Sequence, residues 1–384
     1  MAVAVVGTGF IGPVHAEALR RLSVEVRGIL GSNAEKGQAA ASALGLTVAY
    51  RDYDEILSDQ AVDVVHLASP NNTHFDYARR ALGAGKHVVC EKPLAMNSEE
   101  TAELVRLARQ HANLVTAVNY NIRYYPMALH ARHLVRSGEL GTPYHVNGSY
   151  LQDWLLFEND WSWRVEAGAG GALRAVGDIG THWLDLLQWI TGLKVTALVA
   201  HLATFLEKRR KPSQSAGTFA NTGNEPSGEW TEVDTEDYAA ALLEFESGVT
   251  GTFHVSQVNA GRKNRLGFEI ACSNGSVAWD GERPNELWIG HRGRPNEILI
   301  KDPSLLSPVA AAHADYPGGH AEGFPDTFKQ LYRDIYGYIE AGDYSAPRSF
   351  PTFEDGHHEA LLCEAILRSH QERRWVSTAE GTTT

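Results

Sequence analysis

A glycine-rich turn directly follows the first apolar segment of this 384-residue chain. Residues 2–6 are all alanine or valine, and Gly7-Thr8-Gly9-Phe10-Ile11-Gly12 comes next, before a stretch with helical periodicity. Glycines in this context permit a tight turn, a close approach of the backbone to a pyrophosphate, and close packing of the following helix on its strand. The pattern therefore predicts a dinucleotide-binding unit in which the N-terminus of the helix faces the phosphates.

Short apolar segments alternate with helical stretches through residues 1–122. The segments rich in β-branched residues predict strands at 2–6, 24–30, 62–68, 86–90 and 114–118, and the periodicity between them predicts helices at 14–22, 34–44 and 99–111. Strands and helices that alternate in this way form a parallel sheet covered by helices on both faces. We therefore expect a doubly wound Rossmann domain over residues 1–122.

The sequence pattern changes near residue 123. Aromatic, alternating segments at 144–150, 238–245 and 251–258 predict a second α/β domain, residues 123–384, with an open and mostly antiparallel sheet. Residues 208–234 have little apolar periodicity and predict a long surface loop or lid, which includes the basic run 208–211 as a solvated loop. Two late helices, at 324–341 and 353–373, precede a polar tail from 376 that we expect to fray.

Composition excludes several classes of function. The net charge of −13 disfavours nucleic-acid binding, and no apolar run is long enough to cross a bilayer. The first segment lacks the basic region and cleavage site of a signal peptide, so we expect a cytoplasmic protein without membrane contact. The three cysteines lack C-x-x-C spacing and the histidines lack H-E-x-x-H spacing, so the sequence predicts neither a disulfide framework nor a metal site.

The choice of cofactor depends on the end of the second predicted strand. An acidic residue there would bind the adenosine ribose of NAD, but the chain continues Leu30-Gly31-Ser32-Asn33-Ala34-Glu35-Lys36. Ser32, Asn33 and Lys36 offer donors to a 2′-phosphate, which favours NADP over NAD. A second interpretation, compatible with the first, is that Ser32 or Asn33 caps the helix that begins at Ala34.

Two further strand ends place polar residues at the carboxyl edge of the parallel sheet, where such sheets bind ligands. Ser69, Asn71 and His74 follow the third predicted strand, and Glu91-Lys92-Pro93 follows the fourth. Because proline stops strand pairing, Glu91 and Lys92 are expected at that edge, with Lys92 over the nicotinamide.

An acid/base pair is predicted in the second domain. Asp178 and His182 are four residues apart, so on one helix both side chains project from the same face. Two structural interpretations remain open: Asp178 as a helix cap, and His182 as a hydrogen-bonded core histidine.

Together these motifs resemble the Gfo/Idh/MocA family, which includes glucose-fructose oxidoreductase and inositol dehydrogenase. The resemblance spans nearly the whole chain and rests on the Gly7–Gly12 turn with His15, on Glu91-Lys92-Pro93, and on the Gly177–His182 segment with Asp185. It implies that Lys92, Asp178 and His182 occupy catalytic positions. It also implies an oligomer, a dimer or tetramer, because the open sheet of this family often forms subunit contacts.

The resemblance completes the predicted site. Asn119, Arg123, Trp163 and Arg164 match positions that face cofactor and substrate. The expected cofactor contacts are then Gly7, Gly9, Phe10, Ile11, Gly12, Ser32, Asn33, Lys36, Ser69, Asn71, His74, Glu91, Lys92, Asn119, Trp163 and Arg164. The expected substrate contacts are Lys92, Arg123, Trp163, Arg164, Asp178 and His182. Trp163 has an alternative interpretation as a core aromatic, and His15 as a packing and capping residue of the first helix.

The leading hypothesis is an NAD(P)-dependent oxidoreductase that transfers a hydride between the nicotinamide and a secondary alcohol or ketone of a sugar, sugar derivative or cyclic polyol. His182 would accept the hydroxyl proton, Lys92 would stabilise the developing alkoxide, and Asp178 would orient His182 or bind a neighbouring hydroxyl. Two alternatives stay open: redox-neutral hydrolysis of a glycoside by transient oxidation with a retained cofactor, and a non-catalytic regulator that binds the cofactor. The sequence indicates neither the sugar nor the direction of reaction.

Overall fold

The computed structural model describes residues 1–212 and 228–379. Packing divides the chain into two compact units. The first consists of Met1–Asn121, Gly168–Gly171 and Pro325–Ala360, and the second of Ile122–Ala167, Ala172–Phe324 and Leu361–Thr384. The domain ranges 1–122 and 123–384 stay a prediction, while packing places a late segment of the chain with the N-terminal residues.

Strands and helices alternate through the first 121 residues. The elements are β1 (Ala2–Val6), α1 (Ile11–Arg21), β2 (Glu25–Leu30), α2 (Ala34–Leu44), β3 (Val48–Tyr50), α3 (Tyr53–Ser58), β4 (Val64–Leu67), α4 (His74–Gly83), β5 (His87–Cys90), α5 (Ser98–Gln110) and β6 (Thr116–Val118). The strands form one parallel sheet in the order β3-β2-β1-β4-β5-β6. This is the predicted Rossmann sheet, with β3, α3 and α4 added to the elements expected from the sequence.

The buried strands explain the apolar runs of the N-terminal sequence. Every residue of β1 and of β4 is buried, because helices cover both faces of a parallel sheet. His66 in β4 is the polar exception in these two strands, and it is fully buried. A buried polar side chain needs hydrogen-bond partners, so this position carries more than packing.

The remainder of the described chain combines helices with a large sheet. Its elements are α6 (Pro126–Arg136), β7 (Pro143–Leu151), α7 (Ala167–Gly170), α8 (Thr181–Thr191), β8 (Val195–Ala203), β9 (Lys208–Lys211), β10 (Glu229–Glu232), β11 (Tyr238–Phe245), β12 (Thr250–Ser256), β13 (Arg265–Cys272), β14 (Ser276–Asp280), β15 (Glu286–Gly290), β16 (Glu297–Ile300), α9 (Pro308–Ala312), α10 (Phe324–Ala341), α11 (Phe353–Glu372) and β17 (Val376–Ser377).

The sheet of the second unit has nine strands in the order β16-β15-β14-β13-β7-β12-β11-β8-β17. Neighbouring strands are antiparallel except β7 and β12, which confirms the predicted mostly antiparallel sheet. Alternation along β11 buries Ala241 and Leu243 and exposes Leu242 and Glu244. One face of the sheet therefore packs on the core beneath α6 and α8, and the other face is open.

Two expectations about the second unit were wrong. The basic run Lys208–Lys211 is not a solvated loop, because it forms β9 and pairs with β10. Strand alternation turns Arg209 inward, where it is fully buried and donates to Asp237 Oδ1 at 2.8 Å. The tail does not fray at its start, because Val376 is buried and pairs with Leu198 of β8. The centre of the predicted lid, residues 213–227, lies outside the described residues.

Candidate active site

The glycine turn after β1 has the geometry of a dinucleotide cradle. Gly7 has a φ of +119°, and a Cβ there would lie 2.2 Å from the carbonyl oxygen of Ala68. A Cβ at Gly12 would lie 2.0 Å from the oxygen of Gly7, whereas at Gly9 no atom of the described residues, apart from its two chain neighbours, lies within 4 Å of the Cβ position. Two glycines thus close the turn and the third leaves room beside it.

The helix that follows is suited to an anion. At its first residues α1 has no side-chain cap hydrogen bond from Phe10 and no acidic residue in the first turn. A helix N-terminus without a neighbouring carboxylate attracts phosphate through its N–H groups and its dipole. Together with the open space at Gly9, these features fit the pyrophosphate of a dinucleotide. Ile11 and Gly12 belong to this first turn.

The residues after β2 include the N-terminal cap of α2. Asn33 is the N-cap of α2, and its Oδ1 accepts a hydrogen bond from the Lys36 backbone N–H at 2.8 Å. The capping interpretation of Asn33 is therefore confirmed. The side chains of Ser32 and Lys36 are exposed at the same turn, and no acidic residue precedes Asn33 in it.

The residues predicted after β4 hold neighbouring loops together. Asn71 Nδ2 donates to the oxygen of Gly170 at 2.8 Å, and Ser69 Oγ lies 2.6 Å from Thr73 Oγ1. The buried ring of His74 lies between two carbonyl oxygens, with Nδ1 2.8 Å from that of Pro93 and Nε2 2.9 Å from that of Ser69. His74 therefore connects the loop after β4 with the loop after β5.

Lys92 stands at the end of β5 beside a buried carboxylate. Glu91 Oε2 accepts from the Lys92 backbone N–H at 3.2 Å, and Oε1 accepts from Asn119 Nδ2 and lies 3.1 Å from His15 Nε2. Asn119 is itself fixed, since its backbone N–H donates to the Cys90 oxygen at 2.8 Å. Glu91 thus supports the backbone of Lys92 from inside the unit. The Lys92–Pro93 peptide bond is cis.

Asp178 and His182 lie on two joined helical segments. Asp178 is in a π-helical turn, Val176–Gly180, and His182 is in the first turn of α8. The segment that carries both residues is helical, and its first turn is of the π type. The N-cap residue of α8 is Gly180, so Asp178 does not serve as its cap. The backbone N–H of Val176, the first residue of the π segment, donates to buried Glu236 at 2.8 Å.

Both carboxylate oxygens of Asp178 accept hydrogen bonds. Arg164 Nε donates to Oδ1 at 3.0 Å, and Gln257 Nε2 donates to Oδ2 at 2.8 Å. The guanidinium of Arg164 lies over the ring of Trp163 at 4.4 Å and near that of Trp154 at 6.0 Å. Charged and amide donors of this kind favour the ionised carboxylate. Arg164 Nη1 and Gln257 Oε1 are buried polar atoms without a hydrogen-bond partner in residues 1–212 and 228–379.

His182 is buried beside an aromatic phenol. Its ring centroid lies 6.2 Å from that of Tyr150, whose hydroxyl donates to Asn264 Oδ1 at 2.7 Å. Burial raises the pKa of Tyr150, so its phenol stays protonated at neutral pH.

The side chain of Arg123 is buried in an ion pair. Its guanidinium makes a two-pronged ion pair with Asp185, with Nε 2.8 Å from Oδ2, and Arg123 is 6% exposed. It also lies over the ring of Trp189 at 5.7 Å. This pair ties the 3₁₀ turn Asn121–Tyr124 to α8.

Three residues near Asp178 and His182 were not predicted: Gln257, Tyr150 and Trp154. Gln257 directly follows β12, and Tyr150 lies near the end of β7. Only the sheet register brings these strands to the helical segment of Asp178 and His182, so a local pattern offers no signal for them.

The described residues contain no cluster of three histidine, cysteine or acidic side chains that could hold a metal ion. Within the same residues, no helix combines the length and apolar character needed to cross a membrane.

Comparison with known proteins identifies the family of the chain. A family model described as an oxidoreductase family with an NAD-binding Rossmann fold matches residues 1–120, and the GFO/IDH/MocA C-terminal domain model matches residues 128–278. Levoglucosan dehydrogenase of Pseudarthrobacter phenanthrenivorans is 30% identical, with 98% of each chain covered. The chain belongs to the GFO/IDH/MocA oxidoreductase family.

Other members of the GFO/IDH/MocA family match over similar lengths. Inositol 2-dehydrogenase of Salmonella paratyphi B is 31% identical, over 96% of this chain and 93% of that protein. A structure of levoglucosan dehydrogenase in complex with NADH and L-sorbose superposes with a TM-score of 0.89 at 29% identity, and 98% of each chain is covered. The fold and the nicotinamide cofactor predicted from the sequence are those of this family.

Proposed function

We propose that this protein transfers a hydride between a nicotinamide cofactor and a secondary hydroxyl or ketone of a sugar, sugar derivative or cyclic polyol. The observation that carries the proposal is the environment of Asp178. Its carboxylate is fixed on both oxygens, and a buried donor, Arg164 Nη1, and a buried acceptor, Gln257 Oε1, stand on either side of it. Unsatisfied buried polar atoms cost about 1–3 kcal/mol each, a cost that substrate hydroxyls would remove.

The proposed roles follow from the chemistry of each side chain. His182 takes the hydroxyl proton during oxidation and returns it during reduction, because imidazole titrates near neutral pH. Lys92 donates to the same oxygen and stabilises alkoxide charge. Asp178, as an ionised carboxylate, accepts hydrogen bonds from substrate hydroxyls and orients the substrate. The cofactor supplies the hydride chemistry when it is bound.

The substrate class is supported by the side chains around Arg164. Trp163 and Trp154 flank its guanidinium, and aromatic faces of this kind pack against the C–H face of a sugar ring. The charge of Arg164 is balanced by Asp178, so the pair favours neutral hydroxyls over an anionic group. The names of the relatives point the same way: levoglucosan dehydrogenase and inositol 2-dehydrogenase.

We propose that the cofactor is held by the strand ends and by the glycine turn. The turn residues Gly7, Gly9, Phe10, Ile11 and Gly12 would receive the pyrophosphate, and Asn119, with its buried Oδ1 lacking a partner within the described ranges, would face the nicotinamide side together with Lys92. Trp163 and Arg164 complete the contacts proposed from the sequence. Ser69, Asn71, His74 and Glu91 act through the loops that they hold.

We propose NADP as the preferred cofactor. No acidic side chain follows β2 to repel a 2′-phosphate, and Ser32 and Lys36 are exposed there. Fluorescence titration of the protein with NADPH and with NADH measures the preference directly. Lys36→Glu should then weaken NADPH binding more than NADH binding. Levoglucosan dehydrogenase was solved with NADH, and tighter binding of NADH by this chain would overturn the NADP preference.

The function is tested by absorbance at 340 nm with NAD or NADP across free sugars, anhydrosugars, cyclic polyols and simple glycosides. We expect a sustained rise with one substrate class, and a loss of roughly 10²–10⁴-fold in kcat for His182→Ala and for Lys92→Ala with cofactor binding retained. Full turnover by either variant would refute its assigned role. Release of free sugar from a glycoside without a rise at 340 nm would instead establish the redox-neutral hydrolase.

We also propose that a second copy of the chain covers the open face of the nine-stranded sheet. A cleft of about 990 Å³ lies on this face, and Leu242, Ile298 and Trp375 are among its lining residues. Ile298 is 60% exposed and Leu242 is 51% exposed, an apolar surface typical of subunit contacts. Light scattering should show a dimer or tetramer that Leu242→Asp weakens and Leu305→Asp, at an exposed residue outside the cleft, does not. A monomeric wild type would refute this.

Localisation in the cytoplasm is proposed from the thiols. Cys90 and Cys272 are buried and form no disulfide. Burial raises the pKa of the Cys90 thiol well above its ordinary value, which keeps it protonated and inert. Buried structural thiols of this kind are typical of a reducing compartment.

A further inference from the structure

A line of buried polar side chains runs through the first unit to the carboxylate beside Lys92. Tyr336 on α10, His66 on β4 and His15 on α1 precede Glu91 in this line. His15 and His66 are fully buried, Tyr336 is 3% exposed and Glu91 is 7% exposed. The proposed chemistry uses none of the first three.

Consecutive members of the line are within hydrogen-bond distance. Tyr336 Oη lies 2.9 Å from His66 Nε2, and His66 Nδ1 lies 2.9 Å from His15 Nδ1. His15 Nε2 lies 3.1 Å from Glu91 Oε1. Each ring nitrogen of the two histidines therefore faces one polar atom of the line.

The chemistry of the two ends determines which nitrogens carry protons. Glu91 accepts from the Lys92 backbone N–H and from Asn119 Nδ2, as a carboxylate does, so His15 must donate through Nε2. In a neutral His15 ring whose one N–H is on Nε2, Nδ1 accepts, and His66 then donates through Nδ1. His66 Nε2 then accepts from the Tyr336 hydroxyl. Burial lowers the pKa of His66 and raises that of Tyr336, which agrees with a neutral ring and a protonated phenol.

Packing alone does not account for a histidine in the middle of β4. His66 is paired in register with Val5 on one side and with Val89 on the other, in a sheet of apolar strands. An apolar side chain would fill this position without the cost of burying two ring nitrogens. Only the hydrogen bonds to Tyr336 and His15 offset that cost.

We propose that Tyr336, His66 and His15 form a directional hydrogen-bond relay that fixes Glu91 and thereby positions Lys92. The relay supplies a donor to Glu91 Oε1 while Oε2 holds the Lys92 backbone, so loss of the relay lets the carboxylate rotate and the end of β5 shift. His66 and Tyr336 are positioning residues, since neither touches Lys92. The consequence for turnover rests on the proposed catalytic role of Lys92.

A pair of substitutions separates the relay from packing. His66→Leu keeps the volume but removes both ring nitrogens, whereas His66→Asn retains an N–H donor near the position of Nδ1. We expect His66→Leu to stay folded and to lose on the order of tenfold in kcat, with little change in KM, less than the roughly 10²-fold that a 1 Å misplacement can cost. His66→Asn should recover most of that loss. Equal kcat values for the two variants, or wild-type kcat in His66→Leu, would overturn the proposal.

A matched pair of phenol variants gives a second test. Tyr336→Phe removes the hydroxyl at the start of the relay. It should lower kcat by about threefold, the effect of a small misplacement of Lys92. Tyr332 lies one turn earlier on α10 with its ring 4.9 Å from that of His66, and its buried hydroxyl has no hydrogen-bond partner in the described part of the chain. Tyr332→Phe should therefore leave kcat unchanged. An equal effect of the two substitutions would argue against the relay.

The direction of the relay can be measured without any substrate. Two-bond ¹H–¹⁵N spectra of the histidine-labelled full-length protein identify the protonated ring nitrogen, and the His66 signals are those absent from His66→Asn. We expect His66 to carry its proton on Nδ1 and His15 on Nε2. A proton on His66 Nε2 would overturn the relay even if the enzyme is active. The expected tautomers in a protein with no sugar turnover would uphold the relay and refute only the proposed function.

Discussion

Arg164 donates through Nε to Asp178 Oδ1 at 3.0 Å, and this contact determines what the carboxylate can do. A carboxylate beside a guanidinium stays ionised at neutral pH, so Asp178 is an acceptor and not an acid. Gln257 Nε2 donates to the second oxygen, Oδ2, at 2.8 Å, so both oxygens act as acceptors. In the proposed mechanism the acid and base is His182.

Asp178→Asn should lower kcat/KM for the sugar by about 10²-fold, because an amide is a weaker acceptor and leaves the Arg164 charge unbalanced. Cofactor affinity should be unchanged, which fluorescence titration with the reduced dinucleotide will show. Asp153→Asn is the control, since Asp153 pairs with Lys263 at 2.7 Å and has no contact with Arg164 or Gln257. A wild-type kcat/KM for Asp178→Asn would contradict the assigned role.

Alanine substitutions in the glycine turn should separate folding from cofactor binding. Gly12→Ala places a methyl group 2.0 Å from the Gly7 oxygen and should destabilise the protein by roughly 1–3 kcal/mol. Gly9→Ala meets no atom of the described residues beyond its chain neighbours, so stability should change by less than about 0.5 kcal/mol while cofactor affinity falls. Thermal unfolding and dinucleotide titration measure the two effects. Unchanged affinity in Gly9→Ala would show that the cofactor does not approach this glycine.

Asp237→Asn should destabilise the second unit strongly. Asp237 accepts from both Arg174 and Arg209, and all three side chains are fully buried. Removing the carboxylate leaves two uncompensated guanidinium groups, at a cost of about 3–5 kcal/mol. Glu139→Gln, at an exposed position before β7 and outside the cleft lining, is the control and should cost less than about 1 kcal/mol. Urea unfolding compares the two, and similar midpoints would contradict a buried cluster.

Stability should fall in acid through buried histidines. Burial, aided by His133, lowers the pKa of His130 to about 4, and its Nδ1 accepts from the Ser307 backbone N–H at 3.0 Å. Below the ordinary pKa of about 6.5, the unfolded chain binds a proton that the folded chain does not bind. The free energy of unfolding therefore decreases as the pH is lowered.

The expected contribution of His130 is at most about 1.4 kcal/mol per pH unit between about pH 6.5 and 4. His130→Asn keeps an acceptor near Ser307 but does not titrate, so its stability should depend less on pH. Urea midpoints at pH 7.5 and 5.5 test this. If wild type and variant lose the same stability on acidification, His130 does not contribute.

Periodic segments were predictable from the sequence because the signal is local. The predicted bounds of Ala2–Val6, Ala34–Leu44, Tyr238–Phe245 and Phe324–Ala341 agree with the structure. The three-residue strand β3 was missed because it is too short to show alternation. The run Lys208–Lys211 was misread because its charges suggested solvent, whereas the acid that pairs with Arg209 comes from a distant residue, Asp237.

Candidate site residues could be predicted from the sequence where they are close together in it. The spacing of Asp178 and His182 indicated an acid/base pair, and the Glu91-Lys92-Pro93 segment indicated a lysine at the sheet edge. Gln257 was not predictable, because only the register of β12 brings it to Asp178. His66 did carry a signal, since a histidine inside an apolar strand must find hydrogen-bond partners. Its partner Tyr336 lies 270 residues away and could not be deduced.

The central claim, net hydride transfer to a nicotinamide cofactor, is tested most directly by stoichiometry. A substrate deuterated at the carbinol carbon is oxidised to completion, and the reduced cofactor and the keto product are quantified by mass spectrometry. We predict one deuterium in each reduced cofactor and one cofactor reduced per keto product. Formation of product while no deuterated, reduced cofactor accumulates would contradict the claim.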